Sequence, residues 1–292
     1  MRRKRIGISI LVLVLALSGG VWVAGSILTG PVPQSVGDPP ADLTARPVQF
    51  QSQSGAIIRG WFIPGKPGAG AIILMHGVRA NRLSMLDRAR FFSKAGFTVL
   101  LFDFQAHGES SGKHITFGYL ESRDAQAAVE FLRTNARDER IGVVGVSMGG
   151  AATLLASPAL DVNAMVLEMV YPTIDEAVSN RLSMRLGRWA GILSPLLTWQ
   201  LKSRLGISSD ALRPITKVRE IPIPKLFIAG AEDRHTTLQE SKEIFAAAAE
   251  PKELWIVEGA KHTDLHADSK VEYEQRVLSF FQSRLSTQQG AP

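Results

Sequence analysis

The strongest constraint on the fold is a series of short, uninterrupted apolar runs that alternate with segments of helical spacing. Such a run leaves no polar residue for a solvent-facing side, so it predicts a strand buried on both faces. The runs cover residues 70–77, 98–104, 140–147, 164–170, 224–230 and 252–259. The helical segments between and after them cover residues 84–96, 122–135, 148–157, 238–249 and 267–285. This alternation predicts an α/β fold with a mostly parallel sheet and helices on both faces.

The length of 292 residues suits one domain of this kind, which we expect over residues 46–285. It opens with a predicted hairpin that turns at Ser54 and Gly55. Residues 286–292 are expected as a short C-terminal tail.

The N-terminus predicts a membrane anchor. Residues 6–28 carry no charge, and a helix of this length spans about 34 Å, enough to cross a hydrocarbon core of about 30 Å. The basic residues 1–5 before it favour a cytoplasmic N-terminus, with the rest of the chain outside, in the periplasm or the extracellular space. The alternatives are a cleaved signal peptide, since residues 24–26 are small enough for a cleavage site, and a buried segment. Residues 29–45 contain four prolines and are expected as a stiff linker.

The net charge of +6 is concentrated in two places. Residues 2–5 contribute four positive charges, and residues 171–220 carry eight Lys and Arg against four Asp and Glu. The remainder has no contiguous basic patch, so nucleic-acid binding is not expected. The chain has no cysteine, which excludes a thiol nucleophile and a thiolate metal site, and no other metal-binding pattern is present.

A serine flanked by glycines is the candidate nucleophile. Residues 145–150 read GVSMGG and lie where a predicted buried strand ends and a helix begins. A residue in such a sharp turn needs glycine neighbours because the strand and helix backbones converge there. The turn projects the Ser147 hydroxyl out of the sheet, and the Met148 N–H points at the same space. The alternative is a glycine-rich turn used only for packing.

A serine hydroxyl is a weak nucleophile and needs a base, which in turn needs an orienting group. Asp233 and His262 each follow a later strand, at the sheet edge that carries Ser147. Glu232 and Asp175 are weaker candidates for the acid.

In the order serine, acid, histidine, these residues resemble the α/β-hydrolase fold family. The resemblance is closest to its serine-hydrolase branch, the serine aminopeptidases and monoacylglycerol lipases, whose members carry HG after an early strand and D…HGES after the next. It covers about residues 46–285. The resemblance implies that Ser147 is the nucleophile, His262 the general base and acid, and Asp233 the orienting carboxylate.

The resemblance also implies an oxyanion hole made by two backbone N–H groups. One belongs to Met148, and the other to Val78, which follows HG in the segment MHGVRANR. Arg79 and Asn81 are candidate entrance residues. His76 is expected to brace this loop rather than to take part in catalysis.

The segment DFQAHGES, residues 103–110, resembles the family's turn beside the site. The residues expected to shape this turn are Asp103, His107, Gly108 and Ser110. His235 and His266 are expected to be solvated. The family usually has a proline shortly after the acid, whereas residues 235–237 of this chain are His-Thr-Thr, which leaves the course of that loop open.

Residues 171–222 form an insert that is far longer than the usual connection of about 2–6 residues. In this family an insert at this place is a lid, here expected to be small and helical. Arg181, Arg185 and Arg188 recur at spacings of four and three, which predicts one helix face. That face is either solvated, or it rests on anionic lipid and admits acyl chains.

The sequence therefore predicts a membrane-anchored serine hydrolase that cleaves a carboxylic ester or thioester through an acyl-enzyme on Ser147, without a cofactor. Its expected partners are a small acyl substrate and the membrane, contacted by the N-terminal helix and, if the arginine face rests on lipid rather than being solvated, also by the basic lid. An acyltransferase or a peptidase would use the same residues. A non-catalytic binding protein would be expected to lack one of the three.

Overall fold

The computed structural model describes residue 15 and residues 18–287. The predicted basic N-terminus, most of the predicted anchor over residues 6–28, and residues 288–292 of the predicted tail lie outside the described residues. Within the described part of the chain, no helix combines the length and the apolar character needed to cross a bilayer. The first element is a helix, α1, over residues 18–29.

An eight-stranded sheet forms the centre of the fold. Eight of the ten strands in the described residues belong to it, while β1 and β6 form a separate two-stranded sheet. In chain order the ten strands are β1 (Val32–Pro33), β2 (Arg46–Gln51), β3 (Ile57–Ile63), β4 (Ala71–Met75), β5 (Thr98–Asp103), β6 (His107–Gly108), β7 (Ile141–Val146), β8 (Ala164–Glu168), β9 (Lys225–Gly230) and β10 (Lys252–Val257). The large sheet has the order β10-β9-β8-β7-β4-β5-β3-β2. Only its β2–β3 and β3–β5 pairs are antiparallel, and β2 and β3 form the predicted hairpin. The predicted mostly parallel sheet is confirmed.

Helices cover both faces of this sheet. The α-helices that follow α1 in the described residues are α2 (Leu86–Lys94), α3 (Glu121–Asn135), α4 (Met148–Leu155), α5 (Ile174–Leu186), α6 (Ser194–Thr198), α7 (Gln200–Leu205), α8 (Pro214–Lys217), α9 (Leu238–Ala247), α10 (Leu265–Asp268) and α11 (Lys270–Leu285). Strand β4 shows why its sequence is apolar throughout. Ile73 packs with α3 and α4 on one face, while Ile72 and Leu74 pack with α2 and α11 on the other.

The proline-rich segment predicted as a spacer over residues 29–45 lies on the surface of the domain instead. Strand β1 pairs in parallel with β6, and the backbone N–H groups of Val36 and Gly37 donate to Glu109 Oε1 at 2.9 and 3.0 Å. The prolines hold the backbone extended, and an extended backbone offers its remaining polar groups to a neighbouring chain segment. The segment is therefore attached to the body rather than free of it.

The insert between β8 and β9 contains helices α5 to α8, and α1 packs against it. Gln200 Nε2 donates to the Val21 carbonyl oxygen at 3.1 Å. The Arg204 guanidinium lies 3.9 Å from the centre of the Trp22 ring and donates to Ser26 Oγ at 2.8 Å. These contacts join the N-terminal helix to the lid.

Candidate active site

Ser147 occupies a strained turn between β7 and α4. Its φ of 50° and ψ of −108° lie outside the conformations that side-chain-bearing residues favour. The turn is held because the Ser147 N–H donates to the Glu168 carbonyl oxygen at 2.8 Å. A Cβ on Gly145 would lie 2.6 Å from the Gly150 nitrogen, so the close approach of strand and helix requires glycine there. This is the geometry that the GVSMGG pattern predicted.

The loop after β4 faces this turn. Among the described residues, neither the Val78 N–H nor the Met148 N–H donates to any acceptor, and both residues line the same pocket as Ser147. The loop is fixed next to Val78, because the Arg79 N–H donates to His107 Nε2 at 3.0 Å. Two backbone donors are therefore free at the pocket wall.

Two buried histidines, His76 and His107, stabilise the loop after β4 through hydrogen bonds to the backbone. His76 Nδ1 lies 2.7 Å from the Gly77 carbonyl oxygen, and the Phe104 N–H donates to His76 Nε2 at 3.1 Å. Burial, and then the neighbouring His107, lower the pKa of His76 to about 3. His76 is therefore neutral and uses both ring nitrogens within the fold, as expected for a brace.

The turn over residues 103–110 is tightly interlocked. Ser110 Oγ donates to the Asp103 carbonyl oxygen at 2.6 Å, and Gly108 has a φ of 51° with no room for a Cβ beside the Asp103 carboxylate. His107 has a role that the sequence did not reveal, since it accepts the hydrogen bond from the Arg79 N–H that positions the loop after β4. Burial lowers the pKa of His107, which keeps Nε2 available as an acceptor.

Of the two predicted entrance residues, only Arg79 lines the pocket. Asn81 is buried and caps a short 3₁₀ helix by accepting from the Leu83 N–H at 2.9 Å. The prediction for Asn81 was wrong because its side chain is used to start that helix.

His262 and Asp233 are paired. His262 Nδ1 lies 2.7 Å from Asp233 Oδ2, and the Asp233 side chain is 1% exposed. A carboxylate at Nδ1 requires the proton on that nitrogen, which leaves Nε2 as the acceptor. His262 and Ser147 line one pocket, although no hydrogen bond joins their side chains among the described residues. Such bonds are often loose without substrate.

The loop after Asp233 is ordered without the family's proline. Asp233 Oδ1 accepts from the N–H groups of His235 and Thr236 at 2.7 and 3.0 Å. The next residue, Thr237, forms a capping box with Glu240 at the start of α9. The aspartate side chain and the capping box together set the course of the loop.

Of the three candidate acids, the structure brings Asp233 to His262. Glu232 is exposed, and Asp175 lies in the first turn of α5 with no hydrogen bond to His262.

The expectation of solvation was wrong for His266, whereas His235 is partly exposed. His235 lines the pocket and stacks on His262, with 4.9 Å between the ring centres. His266 is 2% exposed, and its Nε2 lies 3.0 Å from Glu274 Oε1. His266 also stacks on Phe91, with 5.2 Å between the ring centres, a contact between segments far apart in the sequence that a single sequence does not disclose.

A buried charge network lies behind the His262 loop. Arg88 pairs with Glu168 at 2.7 Å and with Asp264 at 2.7 Å, and Tyr273 donates its hydroxyl proton to Glu168. Arg88 and Glu168 are almost fully buried. The network joins α2, the end of β8 and the segment two residues beyond His262. The available signal was an arginine on the apolar face of the predicted helix over residues 84–96.

The pocket is a cavity of about 440 Å³ with a mostly apolar wall. Such a volume suits a small organic ligand. Leu28 of α1 lines it, together with Phe117 and residues of α5 such as Ile174 and Val178. The N-terminal helix therefore contributes to the pocket wall, which the sequence did not suggest.

The lid arginines do not share one helix face. Helix α5 ends at Gly187, which has a φ of 97°, so Arg188 lies beyond the helix and stacks on Trp189. Arg181 and Arg185 line the pocket. The predicted common face was wrong because the glycine ends the helix before the third arginine.

Among residue 15 and residues 18–287, no group of three or more His, Asp or Glu side chains is placed so that it could hold a metal ion.

Comparison with known proteins identifies a matching family, two relatives in sequence and one similar structure. The sequence profile of the alpha/beta hydrolase family matches residues 72–276. YqkD of Bacillus subtilis is 29% identical over 236 residues, which cover 78% of this chain and 76% of that protein. The alpha/beta hydrolase domain-containing protein WAV2 of Arabidopsis thaliana is 30% identical over 217 residues, which cover 69% of this chain and 66% of that protein. The structure of the Pyrococcus furiosus esterase Pf2001 superposes with a TM-score of 0.73 at 24% identity, covering 88% of this chain and 99% of that one.

Proposed function

Because the chain belongs to the alpha/beta hydrolase family, we propose that it is a serine hydrolase that cleaves a carboxylic ester or thioester through an acyl-enzyme on Ser147. The observation that carries the proposal is the His262–Asp233 pair at 2.7 Å, in a pocket whose wall also contains Ser147 on its strained turn.

In the first half-reaction, Ser147 Oγ attacks the acyl carbon and its proton passes to His262 Nε2. The negative charge that develops on the carbonyl oxygen accepts hydrogen bonds from the Val78 and Met148 N–H groups. The bond from the acyl carbon to the leaving group then breaks, and His262 gives its proton to the departing oxygen or sulfur. Asp233 keeps the imidazole in the required tautomer and stabilises its protonated form.

In the second half-reaction, water gives a proton to His262 Nε2 while its oxygen attacks the acyl carbon of the ester on Ser147. The bond between the acyl carbon and Oγ breaks, the proton returns to Ser147, and the free acid leaves. The cycle needs no cofactor and consumes one water for each ester.

The pocket supports an acyl substrate because its wall is mostly apolar. The fold shared with the Pyrococcus furiosus esterase is consistent with ester hydrolysis.

We further propose that the segment over residues 6–28 anchors the enzyme in a membrane through its N-terminal part, since residues from Val21 to Leu28 contact the lid and the pocket, and that the catalytic domain lies outside the cytoplasm. The uncharged run and the basic residues before it support this. Large apolar side chains of α1 and of the lid are also exposed: Trp22 is 47% exposed, Trp189 71% and Trp199 72%. Tryptophan is common where a protein meets the membrane interface.

The test of catalysis is the hydrolysis of 4-nitrophenyl esters of increasing chain length by the full chain and by Ser147→Ala. We expect turnover by the first and none above background by the second, with unchanged circular dichroism. Comparable turnover by the variant would contradict the proposal. For the anchor, the protein should stay with membranes after a high-salt wash, and recovery of a mature chain starting near residue 27 would indicate signal cleavage instead.

A further inference from the structure

The charged side chains around the pocket are unevenly balanced. Four arginines line it: Arg79, Arg88, Arg181 and Arg185. The carboxylate of Asp264, which also lines the pocket, is already paired with Arg88. Within the described residues, no carboxylate lies within ion-pair distance of the other three arginines. This mostly apolar pocket therefore has three positive charges that form no ion pair with a carboxylate of the described residues.

Arg181 is the central member of this group. It is half-buried, and within the described residues its one hydrogen bond runs from Nη1 to the Ala177 carbonyl oxygen at 2.8 Å. Burial lowers the pKa of the Arg181 guanidinium, yet an arginine remains protonated at neutral pH. Removing such a charge from water is costly unless a negative group compensates it.

The nearby carboxylates are used elsewhere. Asp233 accepts from His262 and from two backbone N–H groups. Glu240 accepts from Asn180 Nδ2 at 2.7 Å and from the Thr237 N–H at 2.7 Å. Neither forms an ion pair with Arg181, although the charges of both act on the guanidinium from beyond ion-pair distance. The guanidinium therefore keeps donors to which no carboxylate of the described residues is bonded.

The other two arginines enlarge the same positive region. Arg185 follows Arg181 by four residues on α5, so the two side chains lie on the same face. Arg79 projects from the loop after β4 and donates to the Ile27 carbonyl oxygen at 3.0 Å. This partner is neutral and leaves the charge of Arg79 uncompensated. The region thus spans the lid and the edge of the catalytic centre.

We propose that Arg181, with Arg185 and Arg79, binds an anionic group of the substrate, a carboxylate or a phosphate, while the ester bond lies at Ser147. The inference rests on the proposed function and specifies its substrate class: an ester with an apolar portion and a negative charge. Guanidinium groups bind both carboxylate and phosphate, through paired hydrogen bonds.

The test compares two soluble esters with the same leaving group, 4-nitrophenyl butyrate and mono-4-nitrophenyl glutarate, which differ mainly by a terminal carboxylate. The full-length enzyme should give a higher kcat/KM for the glutarate ester. Arg181→Gln should reduce the glutarate-to-butyrate ratio of kcat/KM by roughly tenfold or more, since a hydrogen bond to a charged group is lost. Arg181→Lys, which keeps the charge, should retain part of the preference.

Arg188→Gln is the matched control, because Arg188 lies on the same lid but outside the pocket wall. Its ratio should equal that of the unmodified enzyme. A second pair, lysophosphatidic acid and the monoacylglycerol with the same acyl chain, tests phosphate in place of carboxylate. Preference for the charged ester in one pair alone would identify which anion the site takes.

No preference for the charged ester in either pair, or an equal loss of preference in Arg181→Gln and Arg188→Gln, would overturn the inference. Neither result would affect the proposed function, which stands or falls on the Ser147-dependent hydrolysis of the neutral butyrate ester.

Discussion

Arg88→Met tests the buried charge network behind the His262 loop. Arg88 and Glu168 have side chains 2% and 0% exposed, and their charged atoms lie 2.7 Å apart. The substitution keeps most of the side-chain volume but leaves Glu168 buried without a compensating charge. Breaking a buried pair in this way costs about 3–5 kcal/mol. The exposed Asp264 partner adds little, about 1 kcal/mol or less.

The free energy of unfolding from urea titrations measures this loss. We expect Arg88→Met to lower it by about 3–5 kcal/mol. The variant should also reduce ester turnover, because the segment beyond His262 loses the ion pair between Arg88 and Asp264. The double variant Arg88→Met/Glu168→Met is the control. It removes both charges and should recover much of the lost stability, because no uncompensated charge remains buried. A loss below about 1 kcal/mol in the single variant, or a larger loss in the double variant, would show that the buried charge of Glu168 does not depend on Arg88 for its compensation.

Three further expectations concern single side chains. Asp233→Asn should lower kcat by about 10⁴-fold with an unchanged urea midpoint, because the wrong tautomer of His262 is favoured; an equal effect of Asp175→Asn would instead place the acid on α5. Because the pKa of His76 is lowered to about 3, its contribution to stability is complete above about pH 6.5 and is lost as pH falls toward 3. His76→Gln should therefore make the urea midpoint less dependent on pH over that range, and an unchanged pH dependence would contradict this. Gly145→Ala would put a Cβ 2.6 Å from a backbone nitrogen, so stability should fall by about 1–3 kcal/mol and turnover should be lost; a fully active variant would show that the turn tolerates a side chain.

The sequence predicted most of the sheet because burial on both faces leaves a direct mark on composition. An all-apolar run such as β4 has few other interpretations. It also predicted the turn at Ser147 and the positions of Asp233 and His262, since the ends of parallel strands meet at one edge. These predictions rest on local pattern and on family resemblance together.

The contacts that complete the site are not local, and the sequence did not predict them. Arg88 and Glu168 are 80 residues apart, and Arg204 meets Trp22 across 182 residues. Nothing in either neighbourhood indicates the partner. The prediction for the lid arginines was wrong for a different reason. Gly187 ends α5 within an otherwise helical spacing of arginines, so the charge pattern alone wrongly placed Arg188 on the same helix face as Arg181 and Arg185.

The formation of an acyl-enzyme on Ser147 is tested by the mass of the active-site peptide after reaction with a fluorophosphonate. One adduct should form, located on Ser147. It should be absent from the Ser147→Ala variant and strongly slowed in Asp233→Asn. An adduct on another residue, or undiminished labelling of Ser147→Ala, would show that Ser147 is not the nucleophile.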